Sequence, residues 1–268
     1  MTPAVGPLAD VVDGARMATG TFTAVPVRAG RLDRAVAGWA MAWAPWLGAF
    51  LGLACGLLAV AGSWLGLAPT LAALLGVGLG ALATRALHLD GLADVADGLG
   101  SALRPEGALE VMRRSDIGPF GVVALIVTLG AQTLALGQLV ALSPAAALSG
   151  AVLAGTVGRA ATTCACMPMV PSAHKEGLGA FVAGSVRARG LALASAALLL
   201  AWMSGWFLSW PWILGGVLAT VAGLAVAGVL LRHCVRRLGG ITGDVLGSLT
   251  ESSGTAVLVV LAASASWV

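Results

Sequence analysis

The chain has 268 residues, 59% of them hydrophobic and only 10% charged, with a mean hydropathy of +0.96. Soluble domains carry roughly 25% charge, so an ordinary soluble fold is excluded and an integral membrane protein is indicated. The formal net charge of +3 reflects arginines at the ends of apolar runs, which mark cytoplasmic loops, and no nucleic-acid partner is expected.

The apolar runs are long and lack period-2 alternation, so an all-α, polytopic fold is expected rather than a β-barrel. Residues 1–34 hold Asp10, Asp13, Arg16, Arg28, Arg31, Asp33 and Arg34 without an early apolar core, so no cleavable signal peptide is expected. Within 8–27, Val11, Val12, Ala15 and Met17 suit a short interfacial helix. Charge is absent from 35–84, 117–158 and 190–231. The predicted spans are 36–60, 67–87, 118–140, 147–168, 190–209, 212–231 and 253–267, each near the roughly 20 residues a bilayer requires, the last one short. A turn at Ser209-Trp210-Pro211-Trp212 divides the fifth from the sixth. The connectors near 61–66, 141–146 and 209–212 are uncharged, whereas 1–34, 88–116, 170–189 and 232–252 carry nearly every charge. About seven spans with a cytoplasmic N-terminus put all charged segments on the cytoplasmic side. One domain, 1–268, is expected, with 1–34 as its cytoplasmic or interfacial N-terminal segment. Cys55, Cys164, Cys166 and Cys234 lack zinc-site spacing and suit small apolar core positions.

Four polar islands carry the chemistry. In the first, Asp90, Asp94, Asp97, Glu106, Glu110 and Asp116 make up half of the twelve acidic residues. The run His88-Leu-Asp90-Gly-Leu-Ala-Asp94-Val-Ala-Asp97-Gly98 spaces three carboxylates i, i+4, i+7, on one helical face. Without a counter-ion such a face repels itself and partly protonates. A divalent cation such as Mg²⁺, which takes oxygen ligands and bridges to phosphate, resolves that repulsion. The face of Asp90, Asp94 and Asp97 is therefore a candidate metal or substrate site. Arg113 and Arg114 either meet phosphate oxygens or anchor the next span in anionic headgroups.

The second island is Arg159, the only charge inside a predicted span, in a position where ionisable groups usually face the protein interior and function; an ion pair with one of the aspartates is compatible with that role. In the third, Gly177-Leu178-Gly179 offers backbone N–H groups to a phosphate, next to Lys175, the chain's one lysine. The fourth, Gly239-Gly240-Ile241-Thr242-Gly243-Asp244, reads as a turn in which backbone approaches a ligand closely. Asp244 there either completes a metal shell or accepts a proton.

These islands resemble the cobalamin synthase family. The resemblance is carried by His88–Gly98, Ser115-Asp116-Ile-Gly-Pro-Phe-Gly121, Lys175-Glu-Gly-Leu-Gly179 and Gly239-Gly-Ile-Thr-Gly-Asp-Val-Leu-Gly247, in that order, with Phe22-Thr-x-x-Pro26-Val27 matching the family's start. It covers nearly the whole chain. Two departures stand out. His174-Lys175 occupies the place of a Tyr-Ala-Arg type run, and Arg114 that of an acidic or small residue. The resemblance implies an adenosylcobinamide-GDP ribazoletransferase of the bacterial cytoplasmic (inner) membrane, its active site facing the cytoplasm. The hydroxyl of α-ribazole, or of its 5′-phosphate, would attack the cobinamide-side phosphoryl of adenosylcobinamide-GDP and release GMP. It further implies Mg²⁺ on Asp90, Asp94 and Asp97 with Asp116 as an assisting metal ligand, Asp244 or His88 as the base, Arg159 and Lys175 on the leaving group, and substrate contacts at Arg113, Gly177, Gly179, Gly240, Thr242 and Gly243. Partners would be these substrates and the bilayer, with room for homo-oligomer or pathway-enzyme contacts.

Two rival readings fit the sequence less well. A CDP-alcohol phosphotransferase shares Asp94-Val-Ala-Asp97-Gly98, but the aspartate pair its motif continues with is missing after Gly98. A transporter would concentrate ionisable groups near the midplane, where this sequence puts only Arg159.

Overall fold

The computed structural model describes residues 7–205 and 210–264. Ser209 of the expected turn and the last residues of the expected seventh span lie outside that set. Eleven helices run in chain order: α1 Pro7–Phe22, α2 Arg34–Trp64, α3 Pro69–Ala83, α4 Leu87–Gly100, α5 Pro105–Val111, α6 Pro119–Leu142, α7 Pro144–Ala165, α8 Gly177–Val182, α9 Ala188–Met203, α10 Trp210–Leu238 and α11 Gly243–Ser264. Among the described residues there is no strand, only one isolated bridge between Ser172 and Ile241.

Local chemistry sets these boundaries. Prolines open α3, α5, α6 and α7, where a missing N–H costs nothing. The Asp33 carboxylate accepts the N–H groups of Ala35 and Val36 and so caps α2. Pro211 sits at the start of α10, not in a turn before it.

Apolar helices occur at all seven expected places, but the count of seven spans goes beyond what length and composition support. Four helices, α2, α6, α10 and α11, are each long and apolar enough to cross a bilayer, and α3 with α4 would make a fifth. The shortfall has physical causes. The 15 residues of α3 reach only about 22 Å at 1.5 Å per residue, and α9 has 16. The 22-residue α7 carries Arg159, Thr156, Thr162 and Thr163. The seventh span also starts earlier than 253, because Thr242 caps α11 through its hydroxyl, 3.2 Å from Val245 N. Glu251 therefore lies inside a helix.

Between α3 and α4 the chain turns by 89°. Arg85 and Ala86 make the corner with φ of 53° and 55°, left-handed values that cost a non-glycine residue about 1–2 kcal/mol each. The N-terminal segment braces the corner: Ala24 N–H donates to Ala83 O at 2.7 Å, and Arg85 to Gly20 O at 3.4 Å. The turn lays α4 against the start of α11 and beside the start of α6.

Small residues let the backbones meet, as expected for helices in lipid. Gly48 of α2 and Gly155 of α7 face each other so closely that a Cβ on either would strike the other's carbonyl. Cys166, at the end of α7, is buried and Cys164 exposed. One apolar core joins α1, α2, α8 and the facing ends of α10 and α11 around Met41, Val182, Leu238 and Leu249. A second fills the other half of the bundle around Leu139, Val157 and Leu261.

Candidate functional site

Gly91 decides how α4 seats. A Cβ there would come within 2.7 Å of the Asp244 backbone, and one on Gly247 within 3.0 Å of His88 Cα. With no side chains between them, α4 and the first turns of α11 touch, and the face bearing Asp90 and Asp94 comes beside Asp244. Asp90 is exposed, while Asp94 and Asp244 are half-buried. Burial, and then the charges of Asp90, Asp244 and Asp97, push the Asp94 carboxyl up to about 7. Burial likewise pushes the Asp244 carboxyl up, with the charge of Asp90 adding to it.

Asp97 is used differently. Its two oxygens accept the N–H groups of Gly118 (2.8 Å) and Gly121 (3.0 Å). Gly118 has no side chain with which to cap α6, so the aspartate of another helix takes that task. Of the three acids expected to share one metal face, Asp97 is thus turned toward α6 and engaged in architecture.

Two hollows open around this junction. One, of about 240 Å³, is lined by Asp94, Asp97, Ser101, Arg114, Asp116 and Phe120 among others. It collects three of the four expected metal ligands, with Arg114 beside them. The other, of about 260 Å³, is lined by Arg113, Ser172, His174, Gly177, Thr242 and Asp244 among others. Its base is the bridge between the third and fourth islands: Ile241 N–H donates to Pro171 O at 2.9 Å and Ala173 N–H to Ile241 O at 3.0 Å. Across it, Arg113 Nη2 lies 3.2 Å from His174 Nε2, and Thr242 Oγ1 donates to Asp244 Oδ2 at 3.2 Å.

The glycines divide between packing and approach. A Cβ on Gly240 would run into the 171–173 backbone, and one on Gly179 would come within 2.7 Å of Ile241 O. Both permit chain-on-chain packing, and Gly179 also lines the second hollow. Gly177, at φ +90° with open space beside it, remains free to present backbone to the hollow.

Three expected site residues lie elsewhere. His88 is 5% exposed, stacked on Phe22 with ring centroids 6.0 Å apart, and lines neither hollow. An imidazole sealed beneath α4 does not meet a substrate hydroxyl there, so the expectation of a base at His88 is not supported by this geometry. Lys175 is exposed and lines neither hollow. Arg159 is buried in the bundle at 7% exposure and lines a cavity of about 130 Å³ with Cys55, Thr84, Leu89, Gln132 and Glu251 among others. Its Nε has no partner, and no ion pair joins it to an aspartate among the described residues. The opposite charge nearby is Glu251, whose Oε2 accepts from Gln132 Nε2 at 2.8 Å. Glu251, Gln132 and His174 escaped the sequence reading. Glu251 had a signal: it is the last acid of the chain, at the edge of an apolar run.

Among the described residues no three His, Cys, Asp or Glu side chains converge as a ready metal cluster. A closed carboxylate cage is therefore not what this donor set offers. It suits a cation that keeps several waters and binds through one or two carboxylates and a substrate phosphate, which is the usual habit of Mg²⁺.

Comparison with known proteins agrees with the order of the islands. The family Cobalamin-5-phosphate synthase matches residues 14–262. Curated relatives include adenosylcobinamide-GDP ribazoletransferases from three organisms. That of Frankia casuarinae is 40% identical over 263 residues, covering 92% of this chain and 94% of the relative. That of Nocardioides sp. is 39% identical over 255 residues, covering 94% and 99%. That of Bradyrhizobium diazoefficiens is 38% identical over 271 residues, covering 98% of each. No solved structure matches.

Proposed function

Because the chain belongs to the Cobalamin-5-phosphate synthase family, we propose that it catalyses the ribazoletransferase reaction its relatives are named for, a late step of cobalamin biosynthesis. The observation that carries this reading is the seating of Gly91 on Asp244, which puts the Asp90–Asp94 face next to the hollow lined by Arg113 and His174. A diphosphate substrate needs charge neutralisation and a positioned nucleophile together, and this junction brings acids and cations within one small region.

In the reaction, a ribose hydroxyl oxygen of α-ribazole or its 5′-phosphate forms a bond to the cobinamide-side phosphorus of adenosylcobinamide-GDP. The bond from that phosphorus to the GMP oxygen breaks, and GMP leaves with the electron pair. Asp244, half-buried at the head of α11, takes the hydroxyl proton. Arg113, beside His174, neutralises phosphate oxygens, and the Gly177 backbone approaches them from the loop. Asp90 and Asp94 would hold Mg²⁺, with Asp116 across the neighbouring hollow. The ion supplies charge neutralisation on the diphosphate when bound. Charged connectors alternate with uncharged ones along the chain, which supports a site facing the cytoplasm from the bacterial inner membrane.

The test is a single-turnover assay of the full chain in lipid with adenosylcobinamide-GDP, α-ribazole and Mg²⁺. GMP and corrinoid product are expected in equal amounts, with both lost on adding EDTA or in Asp94→Asn. Folded protein that releases no GMP overturns the assignment. Full turnover in EDTA removes the metal from it.

A further inference from the structure

Beyond α8 from the two hollows, a separate pocket of about 540 Å³ lies where α2 and α9 begin. Arg34, Trp39, Ser185, Arg187 and Arg189 line it, together with Asp10. The bias of arginines toward one membrane side accounts for the three cations. It does not account for what lies beneath them. Ser185 is 9% exposed, and its hydroxyl has no hydrogen-bond partner, an arrangement that is destabilising unless something completes it. No side chain caps α9, so the N–H groups of its first turn, at Ala188, Arg189 and Gly190, border the same space without a side-chain acceptor.

The local charges are not balanced from within. The Asp10 carboxylate is engaged by Arg31. Arg34 is fixed by donating to Ala183 O and, at 3.5 Å, to Ala180 O. Neither Arg187 nor Arg189 has a carboxylate at ion-pair distance among the described residues. Two free guanidinium groups, an uncapped helix start and a buried hydroxyl without a partner together present donors to one concavity.

We propose that this pocket binds a phosphate group, with Arg187 and Arg189 on its outer oxygens and the Ser185 hydroxyl and the α9 N–H groups on its inner ones. Planar, forked arginines suit that anion, and a helix start adds to its affinity. The phosphate comes either from an anionic lipid headgroup or from a soluble phosphate compound. This site is independent of the reaction proposed above.

The experiment uses the full chain, delipidated in a maltoside detergent, which carries no phosphate. Binding of short-chain phosphatidylglycerol and of inorganic phosphate is measured separately at fixed ionic strength against chloride. Saturable binding of at least one is expected. Arg187→Gln/Arg189→Gln should weaken it by about 25-fold, at about fivefold for each arginine near a charged headgroup. Ser185→Ala should weaken it severalfold without lowering the ligand-free Tm, which gives a second readout if the arginine variant is poorly folded. Binding of the lipid alone assigns the phosphate to the bilayer, and binding of inorganic phosphate alone assigns it to solution. Failure of both ligands to exceed chloride, or equal binding by wild type and both variants, overturns the proposal.

Discussion

At the α4–α11 junction, Asp90, Asp94 and Asp244 bring like charges together; about two turns further along α11, Glu251 and Arg159 bring opposite charges to one interior cavity. At the junction Asp90 is exposed, and burial and then neighbouring charge hold the Asp94 and Asp244 carboxyls back from ionising. Around the interior cavity Arg159 and Glu251 are of opposite sign, so charge balances within the protein. The first arrangement is unstable by itself and suits binding. The second is neutral as it stands and suits holding helices in register. An acidic residue in this chain therefore acquires its role from what faces it, not from its place in a motif.

The contrast can be broken by exchanging neutral side chains for charged ones, and the largest effect is expected in the interior. Arg159→Leu leaves Glu251 facing the cavity without the opposite charge across it. The two are not in ion-pair contact, so the cost, read as a lower Tm, stays below the roughly 3–5 kcal/mol of breaking a contacting buried pair. Adding Glu251→Leu should restore part of the loss. Full thermal stability in Arg159→Leu with lost turnover would instead move the arginine to the substrate side.

Next comes Asp94→Asn. Turnover should fall by about 10²–10³-fold, in line with losing one preorganised electrostatic group, while Tm holds or rises as like-charge repulsion is relieved. A large drop in Tm would mean that the acidic face is structural after all.

Asp97→Asn should show the reverse balance. Presenting an amide N–H to one of the two glycine donors costs about 1–3 kcal/mol, seen in Tm, with turnover reduced only as far as α6 shifts. Equal losses of turnover in Asp94→Asn and Asp97→Asn, at equal Tm, would return both to one metal shell.

The smallest effect is expected for Arg113→Gln. Losing one charge-assisted contact at the exposed hollow should raise KM for the diphosphate substrate by about tenfold and leave kcat nearly unchanged. A fall in kcat at constant KM would place Arg113 at the reacting phosphoryl.

The sequence made the membrane class, the helix positions and the polar islands legible, because hydropathy and charge are local properties. The seating of Asp94 near Asp244 was not legible, since it depends on Gly91 meeting a backbone more than 150 residues away. Asp97 looked identical to Asp94 for a related reason: spacing reports a shared face but not which helix arrives to use it. Glu251 was missed because a Gly-rich run reads as a loop, whereas Thr242 starts α11 there. The left-handed corner at Arg85–Ala86 had no glycine to announce it and is held from outside by the N-terminal segment.

The tie between Pro171–Ala173 and Ile241 is made mainly by main-chain N–H and C=O groups, with the Ser172 hydroxyl adding one donation to Ile241 O at 3.4 Å, so most of its length is indifferent to which side chains the loop carries. Gly240 is a further exception, because any Cβ there meets the opposite stretch of backbone. A loop anchored this way can exchange its outward residues while its path stays fixed. His174-Lys175 can thus stand where the family pattern has a different run, and the tip of the loop can be retuned without rebuilding the wall behind it.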